Sequence, residues 1–116
     1  MNYSKYNNRI VEVDGIKFHS QKEAHFYLVL KDRMKEEGDK RVVKIELQPK
    51  FLLLDKFVVQ HTGEKIRATH YIADFRVEYA DGRVEVYDVK GMRTDVYKLK
   101  RKFLLAQYPS INFFEI

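Results

Sequence analysis

The sequence predicts a mixed α/β domain, a central sheet with a helix packed at each side. Three observations predict it. Two amphipathic stretches open on capping residues, Ser20 and Thr94. Two Asp-Gly pairs, Asp14-Gly15 and Asp81-Gly82, sit between apolar runs and mark hairpins. Short runs rich in Val, Ile, Phe and Tyr fill the remaining chain and read as strands.

The elements follow in order. Residues 1–8 form a loose polar arm. Arg9 to Val13 and Ile16 to His19 flank Asp14-Gly15 as an N-terminal hairpin. Ser20 opens the first helix, with Glu23 at the third helical position completing a capping box. Ala24, Tyr27, Leu28 and Met34 recur at helical spacing, widened by Phe26, Val29 and Leu30, and Gly38 stops the helix after about four turns. Val42 to Leu47 is a strand ended by Gln48-Pro49, and Phe51 to Leu54 is extended. Lys56–Gln60 and Ile66–Thr69 flank a turn at His61-Thr-Gly-Glu. The second of these runs on into a central hairpin, His70 to Tyr79 and Arg83 to Val89, with both faces of its second strand covered. Gly91 breaks that strand. Thr94 caps the last helix, Asp95 to Gln107, with Val96, Leu99, Phe103 and Ala106 inward. Pro109 stops it, and Ile111 to Ile116 is a final strand. All 116 residues are read as one domain.

Composition excludes several classes. With no cysteine there is no disulfide, thiolate zinc site or cysteine nucleophile. The four histidines show no zinc-ligand spacing. P-loop, dinucleotide fingerprint and serine-hydrolase elbow are all missing. No apolar run approaches a membrane span, and the polar N-terminus lacks a signal core, so the expectation is a cytoplasmic protein without membrane contact. The net charge is +5, and its distribution matters more than its size. Between Lys90 and Lys102, six cations stand against the single acid Asp95, which suggests a polyanionic substrate.

The central hairpin carries the candidate chemistry. Asp88 and Lys90 lie two residues apart late on one strand, so they share a face. The hairpin returns Asp74 beside them if the register allows. Two carboxylates and an amine at a sheet edge suit a hard divalent cation and a nearby base. A solvated strand end would read the same way for Asp88 and Lys90, and a salt bridge to Arg76 or Lys90 is the alternative for Asp74. Glu23 has two readings, helix cap or third metal ligand. Lys98, Arg101 and Lys102 share one side of the last helix by spacing, where a phosphate backbone would meet several donors.

These pieces together resemble the PD-(D/E)XK nuclease superfamily. The residues are Phe18-His-Ser-Gln-Lys-Glu23, Gln48-Pro49, Tyr71-Ile-Ala-Asp74-Phe75 and Tyr87-Asp88-Val89-Lys90-Gly91. More narrowly they look like a small family of phage and prophage proteins of little-defined role, similar to phage Holliday-junction resolvases. The resemblance runs from about Tyr6 to Glu115. Ala73 stands in place of the proline that names the motif, and the Gln-x-x-x-Tyr signature of some exonuclease branches is absent from the second helix.

The resemblance implies a restriction-endonuclease-like fold with a central mixed sheet. It implies that Glu23, Asp74 and Asp88 bind Mg²⁺ or Mn²⁺, with the Val89 carbonyl as a further ligand. Lys90 would orient water or take its proton. Arg93, Lys98, Arg101, Lys102 and Gln48 are the expected nucleic-acid contacts. The function expected is a structure-selective DNA endonuclease, acting on branched DNA as a homodimer in a phage-infected or prophage-bearing cell. A nicking or sequence-specific endonuclease and a non-enzymatic nucleic-acid binder of the same fold are the rival readings.

Overall fold

The protein's structure, a computed structural model, describes residues 10–89 and 93–116. The polar arm expected over 1–8, Arg9, Lys90 and Gly91 fall outside them. Asp14 and Gly15 both take positive φ, 54° and 77°, the conformation a two-residue hairpin demands. They join β1 (Val11–Val13) to β2 (Ile16–Phe18), paired antiparallel.

The first helix, α1 (Gln21–Arg33), starts where Ser20 Oγ accepts the Glu23 N–H at 3.1 Å. Ala24, Tyr27 and Leu30 form its buried stripe. Leu28, expected inward, is 45% exposed. The helix ends at Arg33 rather than running on towards Gly38. Lys31 and Arg33 suit the negative end of the helix dipole, whereas Glu36 and Glu37 would oppose it.

The strands that follow are β3 (Val42–Leu47), β4 (Lys50–Leu54), β5 (Phe57–Val58), β6 (Lys65–Ile66), β7 (Thr69–Ile72), β8 (Phe75–Tyr79) and β9 (Val84–Asp88). Then come α2 (Asp95–Gln107) and β10 (Phe113–Glu115). The central sheet has the order β10-β9-β8-β3. β9 pairs antiparallel with β8, and β8 with β3, while β10 lies parallel to β9. A parallel neighbour needs a crossover connection, and α2 supplies it. The molecule is therefore mixed α/β, with a central mixed sheet, two helices and an N-terminal hairpin.

The run His70 to Tyr79, expected as one strand, divides. β7 pairs with β4, and β8 belongs to the central sheet. The break falls at Ala73-Asp74. Gln48 donates its N–H to the Asp74 carbonyl at 3.0 Å, and Ala73 donates to the Pro49 carbonyl at 3.1 Å. A chain held at that kink cannot continue one pleat, so Asp74 leaves β7 and starts a new direction.

The helix α2 carries the largest correction. Val96, Leu99 and Phe103, expected inward, are 64%, 54% and 47% exposed, and Ala106 is exposed as well. The inward stripe is Tyr97, Arg101, Leu104 and Tyr108, with Leu104 fully buried. Long side chains with polar tips cover apolar surface and keep their heads hydrated or paired. Counting only aliphatic residues therefore rotates the apparent face.

The core has two parts, one on each side of the sheet. Under α1 lie Phe18, Tyr27, Leu30, Phe75, Val77 and Tyr87. Towards α2 lie Leu53, Tyr71, Ala73, Val86 and Leu104. β9 is covered on both faces, so even Glu85 is buried. Its carboxylate accepts the Tyr87 hydroxyl at 2.8 Å and pairs with Arg83 at 3.2 Å, which satisfies an otherwise costly buried charge.

Candidate functional site

The register of the central hairpin builds the site. Phe75 stands opposite Tyr87, so the next position out sets Asp74 against Asp88. Hydrogen bonds lock the two together. The Asp74 N–H donates to Asp88 Oδ1 at 3.0 Å, and the Val89 N–H donates to Asp74 Oδ2 at 2.7 Å. The Asp74 N–H also meets the Tyr87 carbonyl at 3.1 Å. Each aspartate thus uses one oxygen to hold the backbone of the opposing strand end.

Asp88 is buried, and the Tyr71 hydroxyl donates to its Oδ2. Burial and that hydrogen bond raise the tyrosine above its ordinary range, which keeps it a donor. Tyr71 comes from β7, so the small sheet supplies a partner to the central one. The sequence marked Tyr71 only as part of a motif. Its hydroxyl role depends on β7 folding over the end of β9, which no local pattern reveals.

Glu23 reaches the same region from α1. Burial first, then the charges of Asp74 and Asp88, push its carboxyl from 4.5 up to about 7. Its backbone N–H serves the cap while its side chain lies in the field of the other two acids. The cap and the site therefore draw on different atoms of Glu23. Among the described residues, no three His, Asp or Glu side chains close into a group that could hold a metal ion.

Asp74 lies where two hollows meet. One, of about 160 Å³, is lined by Glu23, Lys17, Gln48 and Asp74 among others. The other, of about 360 Å³, is lined by Asp74, Asp88, Tyr71, Tyr97 and Lys100 among others. Gln48 takes φ 51°, a left-handed conformation uncommon outside glycine. Such strain persists where surroundings over-determine it, and here the Gln48 N–H is bonded to the Asp74 carbonyl.

Arg76, the salt-bridge alternative for Asp74, sits 2.7 Å from Glu78 and 3.8 Å from Glu46. Arg101 lies 2.9 Å from Glu115, and Arg93 3.9 Å from the same carboxylate. Lys98 and Lys102 are exposed on α2. Sequence reasoning counted Lys100 in the basic run but not among the contact residues, and it lines the cleft. The signal was present: with Tyr97 and Leu104 as the inward stripe, Lys100 falls three residues after one and four before the other, on the sheet side. Lys90 lies outside the described residues.

No curated protein and no solved structure matches the chain. The family model described as "Protein of unknown function (DUF1064)" matches residues 3–116, and the chain belongs to that family.

Proposed function

We propose that this protein is a metal-dependent nuclease that cleaves phosphodiester bonds in DNA, selective for branched structures. The observation that carries the reading is the pairing of Asp74 and Asp88 across the end of the hairpin, with Glu23 in their field. Two aspartates whose charges help raise the proton affinity of a third acid, Glu23, make a site short of positive charge. An all-oxygen donor set of that kind suits a hard cation such as Mg²⁺ or Mn²⁺. When bound, such an ion offsets repulsion between carboxylates and phosphate and acidifies water.

The chain's own residues do the positioning. Tyr71 O–H and the Asp74 N–H orient Asp88, and the Val89 N–H orients Asp74. Lys100 edges the cleft and would meet a phosphate oxygen there, while Lys98 and Lys102, exposed on the other side of α2, would meet the backbone beyond it. Lys90, two residues beyond Asp88, takes the role its motif implies, orienting water or accepting its proton. A phage or prophage setting in a bacterial cytoplasm and a role in recombination or replication belong to the same reading.

A second reading is favoured by one observation. The described acids do not close into a three-sided cation cage. A protein that binds nucleic acid without cutting it would tolerate that arrangement. One experiment separates the two. Labelled four-way junctions, flaps, duplexes and single strands of DNA and RNA are incubated with Mg²⁺, Mn²⁺ or EDTA. Cutting of branched DNA with either metal, abolished by EDTA, is expected. Asp74→Asn and Asp88→Asn should each lower the rate by about 100-fold or more while far-UV circular dichroism stays unchanged. Binding without cutting in any metal would establish the second reading.

A further inference from the structure

The corrected phase of α2 leaves apolar side chains facing outward. Val96, Leu99 and Phe103, at 64%, 54% and 47% exposure, follow one another along the helix. Together with Leu53 and Leu54 of β4 they line an apolar groove of about 340 Å³. Beside the groove, the hairpin of β4 and β7 continues into β5 and β6. That terminal ribbon approaches no other helix or strand among the described residues. It nevertheless presents Phe57 and Val58, 46% and 56% exposed, one on each face of the strand. A lone two-stranded ribbon is marginal in water and gains from a surface to lie on.

We propose that the occupant of this groove is the ribbon of a second copy, in a two-fold dimer where each β5–β6 ribbon lies across the partner's α2. Both halves of the contact are on one chain, an apolar projection and an apolar groove, as a self-complementary interface requires. The area agrees. Leu54, Phe57, Val96, Leu99 and Phe103 each expose about half of a side chain, Val58 lying on the ribbon's other face. Taking whole side chains at roughly 150–200 Å² each, they offer on the order of 400–500 Å² of apolar surface. An ordinary stable interface covers ~800 Å² per partner, of which a little over half, again ~500 Å², is apolar.

Charge favours a protein over a nucleic acid on this face. From Asp55 to Arg67 the ribbon carries Lys56, Lys65 and Arg67 against Asp55 and Glu64. A ribbon gripping a phosphate backbone would be far more basic. The dimer would also set two acid clefts near one interface, because Val96 and Lys100 border both the groove and the cleft of Asp74 and Asp88. The inference stands on the apolar surface and not on the nuclease reading.

The test is sedimentation velocity of the full chain, without nucleic acid or metal, up to about 100 µM, a range that detects micromolar dissociation constants. The expected result is a dimer for the wild type and a monomer for both Phe57→Asp and Leu99→Asp. Both residues are exposed, so thermal melts of the two variants should stay cooperative. If Leu99→Asp fails to fold, Val96→Asp replaces it. Mixing the two variants brings an intact ribbon against an intact groove once per pair. The mixture should therefore dimerise more weakly than wild type but more strongly than either variant. A monomeric wild type, dimers that survive both substitutions, or a mixture that stays monomeric would each overturn the proposal. So would monomeric wild type whose DNA binding is lost in Phe57→Asp, which would make the ribbon a nucleic-acid contact.

Discussion

Glu23 shows how one residue can serve a fold and a site at once. Its N–H belongs to the cap on Ser20, a helix-end contact worth about 1 kcal/mol. Its carboxyl sits with Asp74 and Asp88 and is pushed up to about 7. The consequence for stability has a definite sign. An acid whose folded pKa lies above its unfolded value binds its proton more tightly in the native state. Native stability therefore falls as pH rises from about 4.5 to about 7, and is constant above that window as far as this group is concerned. The melting temperature of wild type should decline across that interval relative to Glu23→Gln, which cannot ionise. Parallel pH profiles for the two proteins would show that the three acids do not share a field.

Among the elements, α2 repays attention because its buried face is written in an unexpected alphabet. Tyr97, Arg101, Leu104 and Tyr108 line the inside, and only Leu104 is aliphatic. Tyr108 donates to the Leu52 carbonyl at 3.0 Å and Arg101 sits 2.9 Å from Glu115, so these two polar tips have partners at the edges of the packed layer. Truncating the fully buried Leu104 to Ala should cost about 2–5 kcal/mol. Ala106→Glu, on the exposed side, should change stability by no more than about 0.5 kcal/mol. Urea denaturation of the two variants checks the helix phase, and the reverse ranking would restore the inward face expected from aliphatic spacing.

For the whole molecule, the question is how a net charge of +5 meets a cleft that is locally acidic. The cations are distributed around the acids. Lys17 lines the hollow of Glu23 and Lys100 the cleft of Asp88, while Lys98 and Lys102 stand exposed on the other side of α2. Arg93 and Arg101 are drawn to Glu115, which removes part of the basic run from open solvent. Nucleic-acid affinity should fall with salt, log affinity against log salt giving a straight line of negative slope. Lys98→Ala and Lys102→Ala should each weaken binding and make the slope shallower by about 1. Fluorescence anisotropy on a labelled junction across a salt series measures this, and slopes equal to wild type would take α2 off the contact surface.

Local chemistry alone was enough for much of this protein. Asp14-Gly15 and Ser20 act over two to four residues, so the first hairpin and the start of α1 were legible from spacing. The Asp81-Gly82 turn likewise fixed which strands pair, and through them the meeting of Asp74 with Asp88. Three things needed the tertiary structure. The kink at Ala73-Asp74 is imposed by Gln48-Pro49, some twenty-five residues away in the chain. The hydroxyl that holds Asp88 comes from Tyr71 on a separate small sheet. The face of α2 is chosen by what packs under it, and side chains with apolar stems and polar heads fit either side of a helix until a neighbour decides. Periodicity reports hydrophobicity along one element, whereas these outcomes depend on the distance between elements, which only the folded chain sets.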